Sequence, residues 1–305
     1  MDPFFSIIIP TYNDLKNLKN TIKSVRRQTF RSFETIIIND GSTDDTLNFL
    51  NDLNFENYKK IHLQTNKGPA YARNIGIKES SGKWICFLDS DDFWIKKKLE
   101  ILYNVIEKEK EINLICHNQF LKIKKTRYKQ KLYSGPSANN SSNYINLLLN
   151  GNFLFLSATS IDSKFIKTKK ILFNEKKKFI SVEDYDLWLK IAFNNGKFHF
   201  INNFLGFYLK HDQNLTNDII FHNKNKLYLL RHHIFKVQNF DRDKKNLWKK
   251  IFLRYILEMS IIYLLKLKNY KVFLYLIFKY LKRYNVIFLL EIIKFSKKKI
   301  IEIFK

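Results

Sequence analysis

Through the first half of the chain, short apolar runs alternate with longer amphipathic stretches. FSIII (5–9), ETIII (34–38), KIHL (60–63) and WICFL (84–88) are rich in β-branched and aromatic residues with little polar alternation, as strands covered on both faces require. The stretches between them, about 14–28, 43–53, 69–79 and 95–109, read as helices. Ser42 or Thr43, followed by Asp44 and Asp45, supplies a cap and a favourable first turn for the second of these. Strands alternating with helices predict an α/β fold with a mostly parallel sheet, right-handed crossovers and flanking helices. From 113 to about 134 a further strand and a basic excursion follow, then SGPSANNSSN (134–143), a polar, turn-rich loop that serves as a lid or a linker. Two more short strands, near 157–161 and 204–209, flank a helix from about Ser181 and extend the first domain over residues 1–215. Residues 216–305 are helical in pattern, contain neither Gly nor Pro, and form a second, basic helical region.

Composition narrows what such a chain can do. Hydrophobic residues at 45% and aromatics at 16%, against 8 Gly and 4 Pro, exclude a disordered or collagen-like protein of this length. The net charge of +26 calls for anionic partners, whether nucleic acid, phosphorylated ligands or a membrane surface, without choosing among them. Residues 242–305 carry 17 Lys and Arg against 4 Asp and Glu, half of the whole excess. Lys250, Arg254 and Glu258 recur every four residues and leave Phe252, Tyr255, Ile256, Met259 and Ile262 on a broad apolar side. Together with the KFSKKK cluster (294–299), this pattern fits an anionic bilayer interface as well as helical packing, within the chain or in an oligomer. Cys86 and Cys116 lie in apolar runs, which disfavours a disulfide scaffold or zinc module and fits a reducing cytoplasm. The N-terminus enters the first strand at once, so no secretory signal is expected. No run reaches 18 apolar residues, so no transmembrane helix is expected either. The expected location is cytoplasmic, with peripheral attachment to the inner membrane face left open.

Three polar clusters fall where strands end: Pro10-Thr11-Tyr12-Asn13, Asn39-Asp40-Gly41-Ser42 and Asp89-Ser90-Asp91-Asp92. Ligands of open parallel sheets bind outside the carboxyl ends of the strands, so the three are expected to converge on one site. Asp40 taken alone fits a routine Asp-Gly turn equally well. In WICFLDSDDF three carboxylates crowd the end of a buried strand and repel one another unless a cation neutralises them. Oxygen ligands without cysteine favour a hard ion, Mn2+ or Mg2+, which keeps positions open for phosphate oxygens. The plainer alternative is an acidic helix start, to which Asp92 is best suited.

The strings SIIIPTYN, IINDGSTDDT, NKGPAYARNIGI, GKWICFLDSDD and VEDYDLWLKI, in this order and spacing, resemble the catalytic domain of family 2 glycosyltransferases with the GT-A fold. The resemblance covers about residues 4–215. It implies a Rossmann-like GT-A sheet and transfer of a sugar from a nucleotide diphosphate donor, usually UDP-linked, to an acceptor hydroxyl with inversion. It further implies that Pro10, Thr11, Tyr12 and Asn13 line the base and ribose pocket and that Asp40 accepts from the uracil imino group. Asp89 and Asp91 fill the DxD motif, Asp91 as metal ligand and Asp89, with Ser90 between them, on ribose or metal-bound water. Arg73 contacts diphosphate or base, or else caps its own helix, while Asn74 and Gly76 serve packing.

Asp184 matches the catalytic base, at a helix start whose dipole favours the ionised carboxylate that would deprotonate the acceptor. Glu183 binds or orients the acceptor; without the other motifs, the two read as a first-turn acidic pair. Trp188 belongs to the core or stacks on the acceptor. His211, in FYLKHDQNLT, matches a late histidine that touches metal or diphosphate, although a lone histidine is usually structural. The implied acceptor is a glycan or lipid-linked sugar in the synthesis of capsule, lipopolysaccharide or a similar polysaccharide. Two other classes compete. A nucleic-acid-binding protein would use the basic surface, but no reading module is recognisable and no nucleic-acid partner is expected. A nucleotidyltransferase needs a glycine-rich phosphate loop where Pro10-Thr11-Tyr12-Asn13 stands.

Overall fold

A computed structural model of the chain describes residues 2–54, 57–123, 129–136, 142–212, 214–237, 244–265 and 267–281. The strands are β1 (Phe5–Thr11), β2 (Phe33–Asn39), β3 (Tyr58–His62), β4 (Trp84–Phe87), β5 (Phe93–Trp94), β6 (Leu114–Ile123), β7 (Lys129–Leu132), β8 (Thr159–Asp162) and β9 (Phe198–Lys210). The helices are α1 (Leu15–Arg26), α2 (Thr46–Asp52), α3 (Pro69–Glu79), α4 (Lys98–Lys108), α5 (Asn143–Asn150), α6 (Ser163–Thr168), α7 (Glu183–Phe193), α8 (Ile219–His232), α9 (Lys244–Leu265) and α10 (Tyr270–Leu281). Among the described residues the strands form one sheet in the order β3-β2-β1-β4-β8-β6-β9-β5, with β7 paired to β6.

The first four strands pair in parallel, as their uninterrupted apolar runs predict, and every residue of β1 is buried. Beyond β4 the sheet becomes mixed: β8 runs antiparallel to both β4 and β6, and β5 antiparallel to β9. β9 is longer than its apolar pattern suggests, because Asn202 and Asn203 bulge out opposite the step from His117 to Asn118 and interrupt that pattern. The four-residue β7, KQKL, alternates exposed lysines with half-buried positions inside the basic excursion.

Only residues 88–92 separate β4 from β5, yet in the sheet these strands are four spacings apart, about 19 Å when flat at ~4.8 Å each. The link also contains a tight turn, in which Asp92 N–H donates to the Asp89 carbonyl at 3.1 Å. A flat sheet cannot be spanned this way, so the sheet curls and returns β5 to α1. There the Thr21 hydroxyl donates to the Ser90 and Asp92 carbonyls, both at 2.7 Å. This closure carries the acidic cluster of 89–92 into the bend.

Phe5, Ile7 and Ile9 of β1 form one core with Leu18, Ile22 and Val25 of α1 and Leu99 and Leu102 of α4. Against the other face of β1 lies α3, at a distance only glycine permits: a Cβ on Gly76 would stand 2.4 Å from Ile8 Cγ2. Asn74, two residues earlier, exchanges hydrogen bonds with the Phe173 backbone at 2.9 and 3.0 Å, which fixes the height of the helix.

The described residues fall into two compact units, divided after Asn225. Within the second, α9 and α10 pack on each other around Leu253 and Ile256, joined by Phe252, Tyr255 and Leu276. Glu258 accepts from Lys226 at 2.7 Å and from Arg254 at 2.9 Å. No described helix is long and apolar enough to cross a membrane. The KFSKKK cluster and residues 137–141 of the polar loop 134–143 lie outside the described residues.

Gly76→Ala is expected to lower stability by ~1–3 kcal/mol through overpacking against Ile8. A shift in the urea midpoint checks this, and an unchanged midpoint would mean that α3 does not sit this close to β1.

Candidate active site

The ends of β1 and β2 lie side by side, Thr11 opposite Asn39, with Asp40 N–H donating to the Thr11 carbonyl at 2.9 Å. Asn13, at φ +48°, ties the two following loops together: its Oδ1 accepts from Thr43 N–H at 2.7 Å and Asp44 N–H at 3.3 Å. Pro10 is buried within β1, and Tyr12, 47% exposed, stands at the rim. Thr11 is buried, and its hydroxyl has no hydrogen-bond partner among the described residues.

Asp40, 3% exposed, accepts the backbone N–H groups of Lys67 and Gly68, one on each carboxylate oxygen, at 2.8 Å. Burial raises its affinity for a proton, and these two bonds oppose that rise. Gly41 follows at φ +70°, and its Cα packs so closely on the Thr65–Asn66 backbone that a Cβ would fall within 2.6 Å of it. Asp40 therefore anchors the loop that leads into α3, as a turn aspartate does, and each oxygen keeps one acceptor position.

At the start of α3's second turn, Arg73 is 5% exposed. It neither caps its helix nor lies open to a ligand along its whole fork. One terminal nitrogen donates to Asp89 Oδ1 at 2.7 Å, and the other donates to Glu183 Oε1 at 3.0 Å, across 110 residues of sequence. Burial works against the guanidinium charge, and the two carboxylates more than offset it. Arg73 Nε and Glu183 Oε2 are buried without partners among the described residues.

Carboxylate oxygens of Asp89, Asp91 and Asp92 all lie within 4.8 Å of one another. Asp91 Oδ2 is 2.7 Å from His211 Nε2 and accepts from Asn214 Nδ2 at 3.2 Å. Burial, then the neighbouring Asp89, pushes the Asp91 carboxyl up to about 6, against the pull of His211. Asp92 is buried and spent on structure: its Oδ1 accepts Leu209 N–H at 2.9 Å, which pins the turn to β9. It does not start a helix; a two-residue strand follows it. Ser90 is half-buried, its hydroxyl donating to Asp14 at 3.3 Å.

Beneath the cluster, the Ser157 hydroxyl accepts Asp89 N–H at 3.1 Å and bonds to Asp92, while the Ser157 carbonyl accepts Lys98 Nζ at 3.0 Å and Trp94 Nε1 at 2.8 Å. Lys98 is completely buried, with Nζ 3.4 Å from the centre of the Trp94 ring, and burial lowers its ammonium to about 7.

Asp184 opens α7 beside Glu183. Its Oδ1 accepts Tyr185 N–H at 2.7 Å and its Oδ2 accepts Asn152 Nδ2 at 3.1 Å. Burial first, then the charge of Glu183, raises its carboxyl to about 7, partly countered by the Tyr185 N–H and Arg73. Trp188, one turn further, is 0% exposed and presents no face on which an acceptor sugar could stack; it is core, and it fixes α7 from below.

The structure thus brings Asp89, Asp91, His211, Arg73, Glu183 and Asp184 together at the expected strand ends. Asn152 and Ser157 escape sequence reasoning because each is a polar residue outside the long strands and helices, with no spacing that marks it. Asn214 alone had a signal, three residues beyond His211 in FYLKHDQNLT.

Residues 6–165 match the family model described as "Glycosyl transferase family 2". The chain is 36% identical over 200 residues to an uncharacterized glycosyltransferase of Rickettsia conorii, covering 64% of this chain and 31% of that protein. It is 33% identical over 186 residues to WfaP of Escherichia coli, named as a UDP-Glc:alpha-D-GlcNAc-diphosphoundecaprenol beta-1,3-glucosyltransferase, covering 61% of this chain and 69% of that protein. Among solved structures, S. aureus TarS 1–349 in complex with UDP-GlcNAc superposes with a TM-score of 0.66 at 21% identity, covering 92% of this chain and 81% of that chain, and it shares the fold. The chain spans less than a third of the length of the rickettsial relatives it matches. These relatives leave the nucleic-acid-binding and nucleotidyltransferase readings without support.

Removing the guanidinium strands the buried Glu183 carboxylate beside the part-exposed Asp89, so Arg73→Met is expected to cost about 3 kcal/mol in denaturant unfolding. The double variant Arg73→Met with Glu183→Leu is expected to cost less than the sum of the single changes, and strict additivity would show that the bridge carries no coupling.

Proposed function

The chain belongs to glycosyl transferase family 2, and on that premise we propose that it moves a sugar, with inversion, from a UDP-sugar to the hydroxyl of a lipid-linked acceptor in polysaccharide synthesis. The observation that carries this reading is the single line of contacts from Asp89 through Arg73 to Glu183 and the adjoining Asp184, which joins the nucleotide end of the sheet to a carboxylate suited to proton abstraction. The names of the E. coli and S. aureus proteins support a UDP-linked donor, and the E. coli name supports a diphosphoundecaprenol-linked acceptor.

Thr11, Tyr12 and Asn13 would receive the base and ribose, with the free hydroxyl of Thr11 as one donor and Asp40 framing the floor through the 65–68 loop. The acidic cluster fits a hard divalent ion: it combines carboxylate and imidazole donors, and burial together with the neighbouring Asp89 makes Asp91 take up protons readily, a charge an ion would offset. Asp89, Asp91 and His211 would hold Mn2+ or Mg2+, and Asp92, committed to β9, would not. When bound there, the ion offsets charge on the diphosphate leaving group.

Asp184 takes the proton from the acceptor hydroxyl. At about 7, its carboxyl is matched to that task near neutral pH. Inversion asks for one such base on the face of the sugar opposite the leaving group. Asn152 would steady the carboxylate from the side, and Glu183 would bind or orient the acceptor.

With UDP-sugars and a diphosphoundecaprenol-linked sugar as acceptor, Asp184→Asn is expected to keep donor affinity while lowering turnover about 10²–10⁴-fold. Loss of donor binding in that variant, or release of pyrophosphate in place of UDP, would contradict the reading. Asp184 works ionised, so kcat/KM at saturating metal is expected to rise with pH through about 7 and then level. Glu183→Gln removes a charge that holds the Asp184 proton, so it should move this limb to lower pH; an unmoved limb would assign the titration to another group.

A further inference from the structure

The basic excursion between residues 113 and 134 has no part in the reaction described above. Residues 112–161 contain no Asp or Glu, and β5, β6, β7 and β9 contain none either. One face of these strands carries four half-buried phenylalanine rings that stack on one another: Phe93 on Phe207 at 4.6 Å, Phe120 on Phe204 at 4.8 Å, and Phe120 near Phe207 at 5.2 Å. The bulge in β9 makes this possible, because it removes Leu205 from the pairing and leaves Phe204 and Phe207 on the same side. Three lysines lie over these rings: Lys122 over Phe93, Lys129 over Phe207 and Lys131 over Phe204, at 5.3–5.5 Å. Tyr133, 67% exposed, meets Phe204 edge-on and extends the surface outward.

We propose that this aromatic and lysine-coated face of β5, β9, β6 and β7 docks the enzyme on an anionic phospholipid bilayer. The chemistry is that of an interfacial surface: rings of intermediate depth, with lysine stems lying along them and ammonium groups free to reach lipid phosphates. The absence of carboxylates along all four strands makes the face complementary to anionic headgroups over its whole extent. A single-stranded nucleic acid fits it less well, because bases need open ring faces and these rings are occupied by one another and by lysine. The face also leads to the acidic cluster, since Phe93 follows Asp92 directly and Phe207 lies two residues before the Leu209 amide that Asp92 binds. The proposal concerns adsorption and holds whether or not the donor is UDP-linked.

The test is partition of the full chain onto vesicles of phosphatidylglycerol and phosphatidylethanolamine, compared with phosphatidylcholine alone. The triple variant Lys122→Gln, Lys129→Gln, Lys131→Gln, with UDP affinity and circular dichroism as checks on folding, is expected to lose at least about tenfold in affinity for the anionic vesicles. Hydrogen exchange should show vesicle protection in peptides covering 119–123 and 129–134. Three results would each overturn the proposal: unchanged vesicle affinity in the triple variant, protection confined to residues 226–305, or oligonucleotides protecting 119–134 where anionic vesicles do not. If the triple variant misfolds, Tyr133→Ser together with the exchange pattern of the wild-type chain decides the same question.

Discussion

Arg73 lies almost entirely out of water with a carboxylate on either side of its guanidinium, and the remainder of the site is arranged around these two contacts. Each contact fixes a different part of the chain. Asp89 follows the end of β4, and Glu183 begins the helix that carries Asp184. Neither acid would tolerate its neighbours at this depth without the cation, because desolvation and like charge act in the same direction. The guanidinium is placed in turn by backbone features that leave little freedom, the close approach at Gly76 and the clamp of Asn74 on the Phe173 backbone. A packing constraint in the core thereby becomes an electrostatic arrangement at the surface.

The second constraint is topological. Residues 88–92 are too few to join β4 to β5 across an open sheet, so the sheet bends, and the acids of that segment sit at the bend. Asp92 secures the bend from inside through β9, while Asp89 and Asp91 face outward with His211 and Asn214 beside them. Three consecutive-looking carboxylates therefore divide into one that holds the fold and two that are available to an ion and a diphosphate. Ser157 and the buried Lys98 support the division from below, the hydroxyl on Asp89 and Asp92 and the ammonium on the Ser157 carbonyl.

Much of this was readable from residues alone. The four parallel strands follow from their apolar runs, and the convergence of the polar clusters follows from strand ends in a parallel sheet. What could not be read depends on long-range geometry. That Arg73 joins Asp89 to Glu183 is a contact across 110 residues that no local pattern encodes. β5 is two residues long, and β9 hides behind an Asn-Asn bulge, so the mixed half of the sheet carries only a weak periodic signal. Trp188 reads as core first and as a stacking platform second, and it is completely buried. Asn152 and Ser157 act through position alone, and single polar residues between the regular elements give no spacing from which to infer a role.

The reaction proposed for this site requires that Asp89, Asp91 and His211 form a place where a divalent ion and a nucleotide diphosphate bind together. Calorimetric titration of the full chain with UDP, in Mn2+ and then in chelator, addresses this directly, with Asp91→Ala measured alongside. The account predicts UDP binding that depends on the ion in the wild-type chain and that Asp91→Ala abolishes or renders indifferent to Mn2+. UDP binding of equal strength with and without the ion in the wild-type chain, or ion dependence preserved in Asp91→Ala, would contradict it.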